Sequence, residues 1–340
     1  MKAAFVKQLM EPLRVEETAV PEPGADEVLL KVEASGVCHS DLHIASGDWP
    51  GLMKQITLPL IPGHEVVGRV VKRGYEVTEL DLGDRAGVAW VHWTCGECEP
   101  CRAGLENLCP NQKITGATVA GGYAEYMKAK ASHAIKVPDN LSSEEAAPLF
   151  CAGVTVYRAI KNSGIEPGQR VAIFGIGGLG HLAVQIAKTY GAEVIAVDIT
   201  DEKLALARAC GADHTINSAS NNAARKIREM GGAHFSVVTA AAKAAYDIAF
   251  RSLRPRGTLV VVGLPADDLT FNPNAMSSAE TRIISSSVGT REDMREVLDL
   301  AAGGKVRCEI ETRRLDQINE VFDQMRGAQI TGRLVLTFDR

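Results

Sequence analysis

The chain has 340 residues, 46% of them hydrophobic and 23% charged, with no low-complexity tract. This length allows two domains, each large enough to bury a core. The formal net charge of −5, with both signs interspersed, disfavours nucleic-acid binding, which needs a basic patch. Neither the apolar stretch of a signal peptide nor a run of about 18 apolar residues is present, so we expect a soluble cytoplasmic protein without membrane contact. The eight cysteines should then be reduced thiols or metal ligands.

The first 140 residues are predicted to form a compact all-β unit. Short apolar runs separated by Gly and Pro predict strands at Glu27–Glu33, Val66–Lys72, Arg85–Trp90, Tyr123–Lys128 and Ala134–Val137. Turn signals recur about every eight to twelve residues, which is typical of such units. A helix is predicted to begin after this region, where Ser142 and Glu145 form a capped start.

From Gln169 onward, predicted strands and helices alternate. The strands are Arg170–Phe174, Glu193–Val197, His214–Ile216, Phe235–Val238 and Thr258–Val262, and the helices are His181–Tyr190, Asp201–Cys210, Ala223–Met230 and Ala242–Leu253. This alternation predicts βαβ units around a parallel sheet. Beyond Gly289, helices Glu292–Ala302 and Leu315–Arg326 flank a strand near Arg307–Glu311, and Arg333–Phe338 is the last predicted strand.

Four cysteines, Cys95, Cys98, Cys101 and Cys109, lie within fifteen residues. Four thiols at this spacing can converge on one tetrahedral ion, which favours a structural zinc site. Two disulfides are the alternative, although closely spaced cysteines in the cytosol more often bind metal. An iron–sulfur cluster is a second alternative, but seven residues separate Cys101 from Cys109 where a ferredoxin run has three.

The segment Gly175–Gly180 fits the pattern Gly-x-Gly-x-x-Gly, follows a predicted strand and opens a helix. A second predicted strand ends at Asp198, 18 residues after Gly180, and together these features predict a Rossmann dinucleotide site. Gly175 would allow the tight turn, and Gly177 would let the pyrophosphate approach the backbone. Gly180 would allow the helix and the strand to pack closely. Asp198 would accept hydrogen bonds from both hydroxyls of the adenosine ribose and repel a 2′-phosphate, so NAD is favoured over NADP.

Three further residues, Cys38, His64 and Cys151, suit a catalytic zinc ion, which takes three protein ligands and leaves a position open. Each alone is equally well read as an ordinary buried side chain. Their occurrence together with a dinucleotide fingerprint and a Cys₄ cluster favours the interpretation of all three as metal ligands.

On these residues the chain resembles the zinc-dependent alcohol dehydrogenases of the medium-chain dehydrogenase/reductase superfamily, above all their bacterial and yeast-type branch. The segments that carry the resemblance are Gly36–His43, Gly63–Glu65, the Cys₄ lobe, Cys151–Thr155, Gly175–Gly180, Val262–Leu264 and Thr331–Arg333. The resemblance implies an α/β two-domain fold. A GroES-like β-barrel catalytic domain would comprise residues 1–153 and 287–340, with a zinc lobe at about 90–112, and a Rossmann domain would comprise residues 154–286.

The resemblance also implies how the reaction proceeds. The catalytic zinc would lie on Cys38, His64 and Cys151 in the cleft between the domains, with Asp41 and Glu65 as the carboxylates behind the ligands. Zinc would act as a Lewis acid on the alcohol, and hydride would pass to nicotinamide. Ser40 and His43 would relay the proton to solvent.

Cofactor contacts carried over from the family cover both ends of NAD. They are His39, Thr155, Gly175, Gly177, Gly178, Leu179, Gly180, Asp198, Lys203, Val262, Gly263, Leu264, Ser287, Val288 and Arg333. His39 and Arg333 match pyrophosphate contacts, and Lys203 matches a contact to the adenosine ribose.

Trp49 and Trp90 match pocket-lining positions, which favours small primary alcohols and their aldehydes as substrates; the alternative is that both are core tryptophans. Rival functions are an aryl or cinnamyl alcohol dehydrogenase, an aldehyde reductase, a cofactor-binding protein without catalysis, and an electron carrier with iron in the Cys₄ lobe. By analogy with the family we expect a homo-oligomer, with a tetramer favoured over a dimer.

Overall fold

The computed structural model describes residues 1–265 and 267–338. The last two residues of the predicted catalytic domain, Asp339 and Arg340, therefore lie outside the described residues. The chain forms two compact units: the first comprises Met1–Val154, Gly289–Gly303 and Cys308–Arg340, and the second comprises Thr155–Val288 and Gly304–Arg307.

Strands and helices are numbered here in chain order over the described residues. The strands are β1 Lys2–Phe5, β2 Arg14–Glu17, β3 Glu27–Gly36, β4 Glu65–Arg73, β5 Arg85–Val88, β6 Val91–Trp93, β7 Lys113–Ile114, β8 Tyr126–Lys130, β9 Ala134–Lys136, β10 Arg170–Phe174, β11 Glu193–Asp198, β12 His214–Asn217, β13 Ala233–Val238, β14 Leu253–Val261, β15 Arg282–Ser285, β16 Ile310–Arg314 and β17 Arg333–Thr337. The α-helices are α1 His39–Ser46, α2 Pro50–Met53, α3 Glu99–Arg102, α4 Ser143–Ala146, α5 Ala152–Ser163, α6 Gly180–Thr189, α7 Asp201–Ala209, α8 Ala223–Glu229, α9 Lys243–Arg251, α10 Pro273–Ala279, α11 Arg291–Ala302 and α12 Ile318–Arg326. Short 3₁₀ helices lie at Glu106–Leu108, Ala131–His133, Ala147–Phe150 and Leu315–Gln317.

The first unit is built on a seven-stranded sheet in which β3 is the central strand. The order is β16-β17-β3-β4-β5-β9, and β8 also pairs with β3. β3 accommodates three neighbours because β8 pairs with its first half, Glu27–Lys31, and β17 with its last three residues. Val28, Leu30 and Val32 alternate along β3 and point into one buried cluster with side chains of β4, β5 and β8. The end of β3 at Gly36 and the start of β4 at Glu65 pair directly, so this sheet brings the segments that contain Cys38 and His64 close together.

The expectation of an all-β first unit is wrong at α1. This helix begins directly after Cys38, whose backbone N–H donates to Asp41 Oδ2, and it ends at Gly47, which has a left-handed φ of 79°. It has only eight residues, and the charged Asp41 lies on its buried face. Hydrophobic periodicity therefore could not reveal it.

The second unit has a six-stranded parallel sheet in the order β12-β11-β10-β13-β14-β15. Numbered within the unit this is 3-2-1-4-5-6, the doubly wound Rossmann order, and the predicted fold is confirmed. β10 has the predicted bounds, whereas β14 begins earlier than predicted and changes register before Thr258. β10 and β11 are nearly continuous apolar runs, as is typical of strands in a parallel sheet that is covered on both faces.

Helix α5 was not predicted. It carries the β-branched residues Val154, Thr155 and Val156, which are weak helix formers. Most of its residues are buried, so packing overrides local propensity. Also unpredicted are β1, β2, α10 and β15, and the strand expected near Arg307–Glu311 lies at Ile310–Arg314.

None of the helices in the described part of the chain combines the length and apolarity needed to cross a membrane.

Candidate metal centres and cofactor site

Three separate segments of the first unit bring Cys38, His64, Glu65 and Cys151 together. Cys38 immediately precedes α1, and Cys151 lies between a 3₁₀ helix and α5. His64 immediately precedes β4, and Glu65 is the first residue of that strand. One ligand atom from each residue lies within 4.8 Å of the others, and all four residues are buried. The two thiol sulfurs are 3.9 Å apart. This is the donor set of a Cys₂His metal centre with a neighbouring carboxylate.

The orientation of His64 tests whether a metal ion fits. Its Nδ1 lies 2.8 Å from Asp41 Oδ1, and because a carboxylate only accepts, Nδ1 carries the proton and donates. Its Nε2 is buried and has no hydrogen-bond partner among the described residues. An orphaned imidazole nitrogen beside two buried thiols is the arrangement that a metal ligand set requires. The residues therefore fit the ion.

The ionisation of the cluster agrees with this fit. The neighbouring Cys151 thiol donates to Cys38, and this contact, with His64 adding, holds the pKa of Cys38 well below its usual value. Burial raises the pKa of Glu65 to about 7, although the Arg333 guanidinium opposes the shift. The site thus contains a thiol, Cys38, that loses its proton more easily than an ordinary cysteine, and a carboxyl group, Glu65, that loses its proton less easily than an ordinary glutamate.

Arg333 is buried and donates from Nη2 to Glu65 Oε1. Arg333 is the first residue of β17, and its bond to Glu65 places it against the metal cluster of the first unit. Its Nε and the Oε2 of Glu65 have no partner among the described residues. Gly36 makes room for this pair, since a Cβ there would lie 1.9 Å from Glu65 Oε2. The pyrophosphate contact of Arg333 stays a prediction.

The second thiol cluster lies between β6 and β7. The sulfurs of Cys95, Cys98, Cys101 and Cys109 are all within 4.8 Å of one another, and none of the eight cysteines forms a disulfide in the structure. Backbone N–H groups of Glu97 and Cys98 point at Cys95 and lower its pKa to about 6. Four converging sulfurs, one of them readily ionised, fit a closed tetrahedral site.

The predicted relay residues lie on α1. Ser40 and His43 are three positions apart and therefore neighbours on the helix surface. Both are partly exposed, as is expected of groups that connect a buried site with solvent. His39, the first residue of α1, is exposed.

Trp49 and Trp90 are both half-buried, and Trp90 lies against a residue of the metal cluster. The Trp90 ring meets the His64 ring edge-on, with centroids 4.9 Å apart and an interplanar angle of 87°. Trp49 lies 6.3 Å from Trp90 and 5.1 Å from His43. The two indoles thus connect the metal-ligand histidine with the predicted relay histidine. Both tryptophans also pack against the buried cluster of Ile44, Leu60, Ile114 and Ala117, so their pocket role stays a prediction.

The predicted cofactor residues of the second unit gather at one edge of its sheet. The glycine loop follows β10, Asp198 ends β11, Val262–Leu264 follow β14, and Ser287 and Val288 follow β15. Carboxyl ends of parallel strands meet at one edge, where open α/β sheets bind ligands. Thr155 lies on α5 and Lys203 on α7, where it is half-buried.

The glycines of the loop meet different demands. A Cβ on Gly180 would lie 1.9 Å from the Gly175 carbonyl oxygen, so close packing excludes any side chain. A Cβ on Gly177 would meet nothing within 4 Å, so the chain itself does not require glycine there. The open space at Gly177 is where a bound pyrophosphate would approach the backbone, and the loop fits a dinucleotide.

Asp198 already accepts three backbone hydrogen bonds: from Ile176 at 2.6 Å, Ile199 at 2.7 Å and Thr200 at 3.2 Å. A carboxylate offers about four acceptor sites, so roughly one is left for a ribose hydroxyl. If Asp198 accepts from both ribose hydroxyls, as the sequence predicts, the two hydroxyls would have to share this one acceptor site.

Comparisons with known proteins agree along the whole chain. A family described as "Zinc-binding dehydrogenase" matches residues 178–303, and one described as "Alcohol dehydrogenase GroES-like domain" matches residues 24–139. A curated alcohol dehydrogenase from Geobacillus stearothermophilus is 51% identical over 340 residues, which is 100% of both chains. The chain belongs to the zinc-dependent alcohol dehydrogenases.

Solved structures support the same assignment. The alcohol dehydrogenase from the archaeon Aeropyrum pernix has a TM-score of 0.93 at 36% identity, covering 99% of this chain and 100% of that one. An acetophenone reductase from Geotrichum candidum, solved in complex with NAD, has a TM-score of 0.89 at 36% identity. The match covers 99% of this chain and 97% of the reductase chain. The predictions of a medium-chain alcohol dehydrogenase, of its two-domain fold class and of enzymatic activity are confirmed. Zinc is confirmed as the metal because this family is zinc-binding and two ligand clusters fit it.

Two polar residues of this alcohol dehydrogenase escaped the sequence reasoning. Asp48 places Oδ2 2.7 Å from His43 Nδ1, and Tyr123 donates its hydroxyl to Asp41 Oδ2 at 2.8 Å. Asp48 lies five positions after His43, and only the unpredicted helix α1 with its turn at Gly47 brings the two together. Tyr123 was assigned to a strand, and nothing in its local sequence indicates a contact with Asp41, 82 positions away.

Proposed function

We propose that this alcohol dehydrogenase oxidises small primary alcohols to aldehydes, and reduces aldehydes in the reverse direction, with NAD as hydride carrier. The observation that carries the proposal is the buried donor set of Cys38, Cys151 and the unpartnered His64 Nε2. Three protein ligands are typical of a catalytic rather than a structural zinc ion, because they leave a position for substrate.

The chain contributes the ligands and their orientation. Cys38 and Cys151 offer thiolates, and Asp41 holds the His64 ring so that Nε2 faces them. When bound there, zinc supplies a Lewis acid that lowers the pKa of the alcohol hydroxyl. Burial of the donor set excludes bulk water and strengthens each electrostatic contact around it.

The proton of the alcohol must leave through groups on α1. The Ser40 hydroxyl can accept one proton and donate another. Asp48 accepts from His43 Nδ1, which leaves His43 Nε2 as the acceptor for a proton passed along the helix surface. Ser40 would thus be the inner relay group, His43 the outer one, and Asp48 the residue that sets the His43 tautomer.

The second unit would hold NAD, whose nicotinamide accepts and returns the hydride. The N-terminus of α6 offers backbone N–H groups to the pyrophosphate, and Asp198 offers an acceptor to the ribose. No arginine follows Asp198 to neutralise a 2′-phosphate, which supports NAD over NADP. The similar acetophenone reductase was itself solved with NAD.

The size of the substrate is proposed from Trp49 and Trp90. The Trp90 ring against the His64 ligand and the Trp49 ring 6.3 Å from Trp90 would leave little volume for a bulky alcohol. Aryl alcohols or ketones form the second candidate class, favoured by the 36% identity to an acetophenone reductase. Cytoplasmic location and a homotetramer stay predictions, and size-exclusion chromatography with light scattering tests the latter.

The decisive experiment counts zinc and activity in matched cysteine variants. Wild type should hold two zinc ions per chain and show NAD-linked oxidation of short alcohols. Cys151→Ser should hold one ion, keep its circular dichroism spectrum and lose turnover. Cys98→Ser should lose the other ion and unfold more easily, because a structural metal contributes folding free energy. A fully active Cys151→Ser enzyme, or one zinc per wild-type chain, would refute the proposal.

A further inference from the structure

Tyr123 is fully buried, and its ring has no freedom to turn away. It packs in the cluster formed by side chains of β1, α1, α12 and β17, with the Phe322 ring 6.5 Å away. Gly63, with φ +97°, leaves the space that the ring fills, because a Cβ on Gly63 would lie 2.4 Å from the Tyr123 ring. The backbone on both sides is tied: Ala4 N–H donates to the Tyr123 carbonyl, and Tyr123 N–H donates to Pro62. The direction of the hydroxyl is therefore set by the core.

That hydroxyl completes the hydrogen bonding of Asp41. Oδ1 accepts from Gly63 N at 3.1 Å and from His64 Nδ1 at 2.8 Å. Oδ2 accepts from Cys38 N at 3.0 Å and from the Tyr123 hydroxyl at 2.8 Å. A carboxylate has about four acceptor sites, so each is occupied and the group cannot rotate without breaking a bond.

We propose that Tyr123 is a positioning residue for the catalytic zinc: its hydroxyl locks the Asp41 carboxylate, which in turn fixes the His64 ring with Nε2 toward Cys38 and Cys151. The proposal rests on the proposed catalytic zinc at this cluster. Among the described residues, the Tyr123 hydroxyl bonds to Asp41 and to none of the ligand atoms. It acts through Asp41 from the loop before β8, where the preceding residue, Gly122, donates its N–H to the carbonyl of Gly63, the residue before the ligand.

Removing only the hydroxyl tests this role. Tyr123→Phe keeps the ring and its packing but leaves Asp41 Oδ2 with one donor, Cys38 N–H. The buried carboxylate can then tilt and hold His64 less firmly. Mutating a residue that hydrogen-bonds to a metal ligand typically lowers metal affinity by about 10- to 100-fold. Tyr123 bonds to such a residue, Asp41, rather than to the ligand itself, so we expect the smaller effect, about tenfold faster release of the catalytic zinc.

The measurement is zinc release from the holoenzyme into a chromogenic chelator, followed without substrate or NAD. The second zinc, on Cys95, Cys98, Cys101 and Cys109, serves as an internal reference in every trace. Cys151→Ser identifies the catalytic phase by its absence. Tyr246→Phe is the matched control, because Tyr246 is also fully buried and donates its hydroxyl to Gly263, but in the second unit.

The outcomes separate the inference from the proposed function. Faster release of the catalytic ion alone in Tyr123→Phe, with wild-type traces for Tyr246→Phe, supports the role. Equal acceleration of both ions, or loss of the folded circular dichroism spectrum, would mean that the hydroxyl serves general stability and would overturn it. Unchanged release of both ions would overturn it as well. A wild-type enzyme with a single zinc phase would instead refute the proposed catalytic metal.

Discussion

The Arg333 guanidinium forms a buried ion pair with the Glu65 carboxylate, across 268 positions of sequence. The side chains are 5% and 0% exposed. Burial alone would lower the pKa of Arg333, but the Glu65 carboxylate outweighs it and raises that pKa above its usual value. Because Glu65 also lies among the metal-ligand candidates, this pair ties β17 to the start of β4 at the site.

Breaking the pair from one side should strongly destabilise the first unit. Arg333→Met leaves Glu65 buried without its cation, and the loss of one partner of a buried pair typically costs about 3–5 kcal/mol. Urea unfolding of the zinc-loaded protein measures this as a lower midpoint. Arg333→Met combined with Glu65→Gln should recover part of the loss, since no unpaired charge is then buried. Arg225→Met, which breaks an exposed pair with Glu229, should leave the midpoint unchanged. A midpoint in Arg333→Met equal to that of the exposed control would contradict this account.

Removing the charge of Asp198 should relax the cofactor preference. Two unit charges about 4 Å apart at an effective dielectric near 20 interact by roughly 4 kcal/mol, and screening should leave about half. We therefore expect Asp198→Asn to improve NADP binding relative to NAD by about 30-fold. Asp198→Gly should do the same but lower the affinity for both cofactors, because it also removes the acceptor of Ile176 N–H in the glycine loop. Fluorescence titration of both reduced cofactors checks the ratio, with the exposed Asp201→Asn as control. An unchanged ratio would show that Asp198 does not face the ribose.

The two half-buried tryptophans should set the upper limit of substrate size. Trp49→Ala should move the best substrate from ethanol and propanol toward longer or aromatic alcohols, because a hydrophobic pocket discriminates by ~1–3 kcal/mol per methylene. Trp90→Ala should do so too, but with faster zinc loss, since its ring packs against His64. A series of kcat/KM values from methanol to hexanol and benzyl alcohol gives the ranking. Trp93→Ala, a half-buried residue without a predicted pocket role, is the control. The size argument fails if both variants lose stability and keep the wild-type ranking.

Two buried histidines beside the zinc lobe should make stability pH-dependent. Burial lowers the pKa of His92 to about 4, and burial together with the Arg291 guanidinium lowers the pKa of His133 to about 4. The His133 ring nitrogens face the hydroxyls of Thr94 and Ser132, which satisfy the neutral ring. In the unfolded chain both histidines titrate near 6.5, so the unfolded state binds more protons between about pH 6.5 and pH 4.

Stability should therefore fall as pH drops through that window and should be insensitive to these histidines above it. The loss over the whole window is at most about 3–4 kcal/mol for each histidine, since each unit of pKa difference corresponds to about 1.4 kcal/mol. Urea midpoints of wild type and His133→Gln are compared from about pH 7 to pH 5. Because the carboxylates titrate in both proteins, the difference between the two curves gives the contribution of His133. The wild type should show the steeper decline. Parallel curves would mean that His133 titrates normally in the folded protein.

Features whose residues are close in sequence could be predicted from the chain alone. The four cysteines of the lobe lie within fifteen residues, and the glycine loop with Asp198 forms one βαβ unit. Local geometry limits how such residues can arrange themselves, so spacing carries most of the information. The strand and helix alternation from Gln169 likewise predicted the parallel sheet, because period and length are local properties.

The other features of the site depend on contacts between residues that are far apart in the sequence, and such contacts cannot be predicted from the spacing of motifs. Cys38, His64 and Cys151 come from three segments. Their side chains meet only because β3 pairs with β4 and because α4 with its 3₁₀ continuation returns to that sheet. The hydrogen bond from Tyr123 to Asp41 and the pair of Arg333 with Glu65 arise in the same way. A polar group that looks solvated in sequence becomes buried and paired when distant backbone closes over it, and the free energy of that burial belongs to the whole fold. Sequence motifs therefore determined which chemistry this protein carries, and tertiary packing decided which side chains hold that chemistry in place.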